Sequence, residues 1–144
     1  MIYCDASVLV AGLTREADTE RVLAWIAERK SGELCISGWV ITEFAGAVAT
    51  KLRRRELPTE ERGAVQASWR KLIENSLSVC EIPSGAFEQA ARFCEMKKSS
   101  LRPGDALHLA IASLGGHSLA TLDRGMAEAA IVVGVAVEEM LARS

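Results

Sequence analysis

Residues 101–112 of the chain, LRPGDALHLAIA, predict a helix that is buried on several sides. After Asp105 the segment is apolar almost all round as far as Leu114, which is typical of a helix packed between other layers. An acid in the first turn of a helix is stabilised by free backbone N–H groups and by the positive end of the helix dipole. Taken alone, Asp105 is therefore most simply a cap, and a chemical role requires partners elsewhere in the chain.

Short apolar runs alternate with longer helical patterns along the rest of the chain. Runs rich in β-forming residues predict strands over 2–4, 34–37, 78–82 and 119–122, with a weaker fifth over 135–137. Apolar spacing and capping residues predict helices after Ser7, over 19–30, 38–54, 59–75 and 84–98, from near Asp105, and from Arg124 to a stop at Gly134. This alternation predicts an α/β fold with helices on both faces of a parallel sheet, as one three-layer domain over residues 1–144.

Composition limits the classes of protein that fit. The chain has 144 residues, 49% of them apolar, which is enough for a sizeable core. Its net charge is −2, so any contact with nucleic acid depends on a local basic surface. The four cysteines have no C-x-x-C spacing and are expected to be reduced core residues. No signal peptide or membrane span is evident, and we expect a cytoplasmic protein with no membrane partner.

Two acids stand at the ends of predicted strands. Asp5 follows the strand over 2–4, and Asp123 follows the strand over 119–122. Each precedes a helix start, so each alone is most simply an N-cap. Ligands of open parallel sheets bind beyond the carboxyl ends of the strands, so the pair favours a shared site.

Two further acids lie on helices. Glu43 lies at the border of the apolar stripe of its helix, above small side chains at Gly46 and Ala47, and Asp105 lies at the mouth of the buried helix. Carboxylates crowded into one site repel one another unless a cation compensates. Ligation by oxygen alone suits Mg²⁺ or Mn²⁺, which can activate water and hold a phosphodiester.

These segments resemble a known family. In order and spacing, D-A-S at 5–7, Glu43, R-P-G-D-A-L-H-L-A at 102–110 and T-L-D at 121–123 resemble the PIN domain, in particular the VapC-type toxins of toxin–antitoxin pairs. The resemblance extends from residue 2 to about 137. It implies a parallel sheet of about five strands in the order 3-2-1-4-5, with the first and fourth strands side by side. The departure from the pattern is Pro103, which affects the backbone before Asp105 and removes no carboxylate.

The resemblance also implies a function. It matches Asp5, Glu43, Asp105 and Asp123 to an acidic quartet that binds Mg²⁺ or Mn²⁺, and Ser7 to a hydroxyl that helps to position the metal water. The implied activity is that of an endoribonuclease, in which metal-activated water cleaves RNA and leaves 5′-phosphate and 3′-hydroxyl ends. The implied partners are an RNA substrate, a cognate antitoxin that covers the acidic cleft, and a second copy of the chain, joined through the helices near 38–76.

Other residues near the acids have weaker cases. Arg102 and Arg124 each lie next to a site acid in the sequence and are candidates to contact a scissile phosphate. His108 follows Asp105 by three, but one helical turn is expected to carry it away from the strand ends, which favours a structural role. Trp39 is the tryptophan best placed to contact RNA.

Three alternatives stay open at this point. The first is a PIN nuclease that is not a toxin. The second is a phosphatase of the haloacid dehalogenase class, but that class requires a second Asp two residues after the first, where this chain has Ser7. The third is a non-enzymatic α/β binding module; a receiver domain would need a lysine near the last strand, and no lysine lies beyond Lys98.

Overall fold

Four parallel strands form the centre of a computed structural model that describes residues 1–97 and 100–139. They are β1 (Ile2–Cys4), β2 (Leu34–Ser37), β3 (Leu77–Cys80) and β4 (Ser118–Ala120), in the order β3-β2-β1-β4. Ile2 at the start of β1 is paired with Leu34 on one side and Ser118 on the other. The first and fourth strands are thus adjacent, as the sequence resemblance implied.

The helices connect the strands and cover the sheet. They are α1 (Ala6–Leu13), α2 (Thr19–Ala27), α3 (Gly38–Arg53), α4 (Arg62–Asn75), α5 (Ala86–Glu95), α6 (Pro103–Gly115) and α7 (Arg124–Val132), with a 3-10 turn (Thr59–Glu61) before α4. α1 packs against α2, α3 and α4, whereas α5 packs against α6. Every residue of β1 and β2 is buried, so helices cover both faces of the central strands and the α/β prediction is confirmed.

The prediction of a fifth strand over 135–137 is wrong. Within the described part of the chain, this segment makes an isolated parallel bridge between Val137 and Leu119. The Leu119 N–H donates to the Ala136 carbonyl at 2.8 Å, and the Glu138 N–H donates to the Leu119 carbonyl at 2.8 Å. β4 has three residues, and the backbone groups of Ser118 and Ala120 point toward β1. Leu119 is therefore the residue of β4 whose N–H and carbonyl both face the segment 135–137.

Several element boundaries differ from the predicted ones. β3 ends at Cys80 instead of residue 82, and β4 covers Ser118–Ala120 instead of 119–122. α5 begins after Gly85, whose φ of 83° is left-handed, and ends at Glu95; the predicted end at Lys98 lies outside the described residues.

The helix that contains Asp105 is buried along its centre. In α6, every residue from Ala106 to Ala112 is buried, which confirms the prediction. The helix begins at Pro103, two residues before Asp105, and a proline is favoured at the first helical position because its ring already has helical φ. Pro103 therefore starts the helix and leaves the backbone before Asp105 regular. None of the described helices is long and apolar enough to cross a membrane.

The burial of α6 predicts different costs for two leucines of the same helix. Leu109 is fully buried, whereas the side chain of Leu114 is 47% exposed. Leu109→Ala should lower the free energy of unfolding by about 2–5 kcal/mol, since it leaves a cavity, and Leu114→Ala by less than about 1 kcal/mol. Urea denaturation of both variants measures the difference, and equal losses would contradict the packing described here.

Candidate acidic site at the ends of β1 and β4

Asp5 connects the end of β1 to the start of α1. Its Oδ1 atom accepts hydrogen bonds from the Ser7 N–H (3.0 Å), the Val8 N–H (3.4 Å) and the Ser7 hydroxyl (2.5 Å). Its Oδ2 atom accepts one from the Thr121 hydroxyl at 2.5 Å. Asp5 is only 2% exposed, so these bonds satisfy a carboxylate that has lost most of its water. Asp5 is thus both the N-cap of α1 and a member of the acidic cluster.

The same hydrogen bonds fix the chain after β4. The Thr121 hydroxyl accepts the Asp123 N–H at 3.0 Å, and the Ser7 hydroxyl accepts the Leu122 N–H at 3.0 Å. Asp123 Oδ1 then accepts the Met126 N–H at 2.9 Å and caps α7. The prediction that Asp123 directly follows β4 is wrong. In the structure β4 ends at Ala120, and two residues that turn over the end of the sheet lie between it and Asp123.

Burial makes the negative charge of Asp5 costly. It raises the pKa of the Asp5 carboxyl, while the hydrogen bonds from Ser7 and Thr121 act in the opposite direction. The hydroxyl groups offset part of the desolvation of this carboxylate, and a bound cation would offset more of it.

Glu43 reaches the site from α3 and is held by a buried histidine. Its Oε2 atom lies 2.6 Å from His108 Nε2, and His108 Nδ1 lies 2.8 Å from the Tyr3 hydroxyl. That hydroxyl is also 2.8 Å from Ser37 Oγ, and His108 is 1% exposed. The expectation that His108 points away from the site is wrong: α3 crosses close enough for the imidazole to fix the direction of Glu43.

Asp105 is the third residue of α6 and is partly buried. Its side chain makes no capping hydrogen bond with the described residues, since the N-cap position belongs to Arg102. Burial raises the pKa of Asp105, and the charges of Asp123, Glu43 and Asp5 raise it further against the opposing effect of His108. The four predicted acids are therefore close enough to share one electrostatic environment.

Two adjoining cavities open on the acids. One, of about 430 Å³, is lined by Arg102, Asp105 and Asp123, and the other, of about 550 Å³, is lined by Ser7, Glu43 and Asp123. Asp123 lies on both, whereas Asp5, which is 2% exposed, lines neither and reaches this region through its bonds to Ser7 and Thr121. Arg124 lines a third cavity of about 460 Å³ beside Val137, which shares Glu128 with the cavity of Arg102. The structure thus places Arg102 on one cavity with Asp105 and Asp123, and Arg124 on the next one.

A glycine permits the close approach of α6 to α3. A Cβ atom at Gly104 would lie 3.1 Å from Glu43 Oε1 and 3.4 Å from Trp39 Cζ2. Trp39 itself lines an apolar groove of about 740 Å³ next to this contact, and is not part of either acidic cavity. A larger residue at 104 would displace Glu43 or Trp39.

The donor set fits a hard divalent cation. It consists of carboxylates and hydroxyls, and the mutual repulsion around Asp105 is what a cation would relieve. Among the described residues, no three of these acids bring one oxygen each within 4.8 Å of one another. This spacing suits an ion such as Mg²⁺, which keeps several waters and binds one or two carboxylates directly.

Sequence reasoning missed Thr121 and Tyr3 as parts of the site. Thr121 comes two residues before Asp123, a spacing at which a hydroxyl can accept the N–H of a turn. Tyr3 is a phenol within a buried strand, and its hydroxyl therefore needs a buried partner. Both signals are present in the sequence, but neither identifies the residue to which the hydroxyl bonds.

An open parallel sheet with carboxylates gathered beyond two adjacent strands defines an α/β protein with a switch-point site. The family profile described as the PIN domain matches residues 2–132, and the chain belongs to this family. Members of the PIN-domain family are nucleases. A comparison with curated protein sequences finds no match.

Solved structures share the fold. The FitAcB structure from Neisseria gonorrhoeae is similar with a TM-score of 0.68 and 21% identity, over 97% of this chain and 98% of that one. VapC20 of Mycobacterium tuberculosis, a sarcin–ricin loop cleaving toxin, also gives 0.68 and 21%, over 90% and 95%. VapBC2 from Rickettsia felis, bound to a promoter DNA fragment, gives 0.68 and 15%, over 96% and 98%.

The bond between Glu43 and His108 predicts energetic coupling. In a double-mutant cycle of Glu43→Ala and His108→Phe, the coupling free energy should be at least about 1 kcal/mol, because the pair is charge-assisted and shielded from water. The exposed pair Asp18 and Arg21 is a control, with coupling below about 0.5 kcal/mol. Urea denaturation gives both values, and a coupling near zero at Glu43 would remove His108 from the site.

Because the pKa of Asp105 is raised, replacing it with a neutral residue should stabilise the folded protein by an amount that depends on pH. Folded Asp105 holds its proton more tightly than the unfolded chain, so its contribution to stability is present below the ordinary pKa of 3.8 and is lost as pH rises through the higher folded pKa. Asp105→Asn should therefore stabilise the metal-free protein at neutral pH, by less than about 1 kcal/mol since water screens a partly exposed site.

Thermal unfolding in EDTA at about pH 4 and pH 7 measures this gain. It should be larger at the higher pH, and Glu88→Gln, at an exposed acid on the first turn of α5 that lines neither acidic cavity, should show no gain at either. If Asp105→Asn stabilises the protein no more at pH 7 than at pH 4, the charges of the other acids do not act on Asp105.

Proposed function

We propose that this chain is a metal-dependent endoribonuclease and the toxin component of a type II toxin–antitoxin pair. The observation that carries the proposal is the placement of Glu43, Asp105 and Asp123 on two adjoining cavities of a PIN domain, with the buried Asp5 bonded to Ser7 in the wall of one of them. Similarity of fold to a toxin that cleaves the sarcin–ricin loop supports RNA as the substrate class.

Asp5, Glu43, Asp105 and Asp123 would hold one or two Mg²⁺ or Mn²⁺ ions. When bound, the ion supplies charge neutralisation at the phosphodiester and a lowered pKa for water. The protein's part is orientation: Thr121 and Ser7 hold the Asp5 carboxylate, and His108 holds Glu43. Because the Ser7 hydroxyl is already bonded to Asp5 and to the Leu122 N–H, its first role is to orient the carboxylate, and one lone pair would remain for the water it would position.

The phosphate contact is assigned to Arg102. It lines the same cavity as Asp105 and Asp123, and its cation can pair with a phosphate oxygen next to them. Arg124, on the neighbouring cavity that shares Glu128, is a second proposed phosphate contact, although it does not line the cavity of Asp105. With a net charge of −2, RNA binding would rest on few local contacts and weaken as salt rises.

The proposed partners are a cognate antitoxin over the acidic cleft and a second copy of the chain. Similarity of fold to VapBC2, a pair bound to promoter DNA, supports the antitoxin. The homodimer would form through α3 and α4, within the predicted 38–76 region. A cytoplasmic location belongs to the same proposal. A dehalogenase-type phosphatase is disfavoured, since Ser7 at the position of its second acid serves as a donor to Asp5.

Cleavage of total RNA by the purified chain tests the function. Activity should appear with Mg²⁺ or Mn²⁺ and vanish in EDTA. Asp5→Asn should reduce it at least about 100-fold, because one ligand and the two hydroxyl contacts are disturbed together. The exposed Glu88→Gln, on the first turn of α5, is the control and should keep full activity.

Activity that survives in EDTA, or an Asp5→Asn enzyme as active as the parent, would overturn the proposal. Sequencing of the cleavage ends should find 5′-phosphate and 3′-hydroxyl groups, and 2′,3′-cyclic phosphate ends would exclude attack by water.

A further inference from the structure

A second cluster of ligand-type side chains lies away from the acids. Cys35 of β2, Cys80 of β3 and His117, between α6 and β4, bring one ligand atom each within 4.8 Å of one another. Within residues 1–97 and 100–139, no other group of three or more His, Cys, Asp or Glu side chains meets this distance. The three residues are far apart in the sequence, and no C-x-x-C motif announces them.

One ring nitrogen of His117 has no protein partner. Its Nδ1 atom is buried and makes no hydrogen bond with the described residues, as is also the case for Trp39 Nε1 and Arg29 Nε. A buried ring nitrogen without a partner is costly, and beside two thiols a bound ion would satisfy it. The ring also lies against Gly115, where a Cβ atom would come within 2.5 Å of Nε2. Glycine at this position thus makes the space that the imidazole occupies.

Access and the neutral imidazole at the cluster suit a bound ion, whereas burial of the two thiols opposes their ionisation. Cys35 is fully buried, whereas Cys80 and His117 are partly exposed and leave a path from solvent. Burial lowers the pKa of His117, which favours the neutral imidazole that metals bind. Burial also raises the pKa of Cys35 to about 12 and that of Cys80 above its usual value. Binding of a divalent cation would therefore release the two thiol protons in exchange.

We propose that Cys35, Cys80 and His117 form a second metal site that takes Zn²⁺, with water in the fourth position. Two sulfur ligands and one nitrogen ligand form a set that Zn²⁺ prefers and that Mg²⁺ and Mn²⁺ do not. The carboxylate cleft has the opposite preference, so the two sites select different cations. The three ligand atoms lie within 4.8 Å of one another, and the sulfur and nitrogen ligands of one zinc ion lie closer together than this limit. The side chains would therefore move slightly toward one another when zinc binds.

The expected consequence of this site is mechanical. Cys35 and Cys80 belong to neighbouring strands, and His117 is placed by the C-terminal end of α6, where its N–H donates to the Ala112 carbonyl at 2.9 Å. A zinc ion would connect β2, β3 and the start of β4 through bonds that the unfolded chain lacks in this geometry. Zn²⁺ should therefore stabilise the folded protein whether or not the acidic cleft is loaded.

Cobalt substitution tests the site directly. The full chain, reduced with a phosphine and freed of metal with EDTA, is titrated with Co²⁺ without oxygen. The expected result is a near-ultraviolet sulfur-to-cobalt charge-transfer band that saturates at one equivalent and disappears when Zn²⁺ is added. Cobalt bound by carboxylates gives no such band, so Asp5→Asn should leave it unchanged.

Matched variants decide the ligands. Cys80→Ser should abolish the band or shift and weaken it, and Cys94→Ser should keep it, because Cys94 is another partly buried free cysteine that lies outside the cluster. His117→Asn provides a second test at a partly exposed position should Cys80→Ser fail to fold. A parent protein without the band, or a Cys80→Ser protein with an unchanged band, overturns the proposal.

Thermal unfolding gives an independent readout. At Zn²⁺ concentrations about a hundredfold above Kd, the Tm of the parent and of Cys94→Ser should rise by roughly 5–10 °C. His117→Asn should lose most of this rise. A parent Tm that Zn²⁺ does not raise contradicts the site, and neither experiment depends on whether the chain cleaves RNA.

Discussion

The burial of the Asp5 carboxylate is the constraint on which the rest of the structure depends. A charged group with almost no exposure is stable only with hydrogen bonds to both oxygens, and here they come from two separate elements. Ser7 lies on the first turn of α1, and Thr121 follows β4. The sheet order that sets β4 beside β1 is what allows Thr121 to reach Asp5, so the fold and the site are one arrangement.

The other acids depend on how α3 and α6 meet. Gly104 allows the two helices to approach, and His108 then bonds Glu43 from a position with no access to water. The imidazole connects Glu43 to Tyr3 of the central strand, so that a cleft side chain is held by the core. Asp105 is less constrained, since its carboxylate lies at the start of α6 among the negative charges that a cation would compensate.

Much of this could be predicted from the sequence, because the signals are local. Short runs of three to five residues rich in β-forming side chains indicated the strands, and the nearly all-apolar stretch after Asp105 indicated the buried helix. The adjacency of β1 and β4 came from a family resemblance, since no local pattern specifies strand order. The fifth strand was overestimated, because β-branched residues at 135–137 favour a strand, whereas its length depends on the edge that β4 offers.

Contacts between distant segments could not be predicted. The bond from His108 to Glu43 depends on the crossing of two helices, and helical periodicity alone placed His108 away from the acids. Arg124 follows a site acid in sequence but turns to another cavity, because its neighbour Asp123 is fixed as the cap of α7. The cluster of Cys35, Cys80 and His117 is likewise assembled only by the sheet.

The central proposal is that four carboxylates from separate elements form one site for one or two divalent cations. Anomalous diffraction from crystals grown with Mn²⁺ tests it most directly, because the signal locates the ion independently of any activity. The account predicts a manganese peak in the cleft, within coordination distance of Asp5 or Asp123 and absent from Asp5→Asn crystals. A peak elsewhere, or none at an Mn²⁺ concentration that saturates binding in solution, would contradict it.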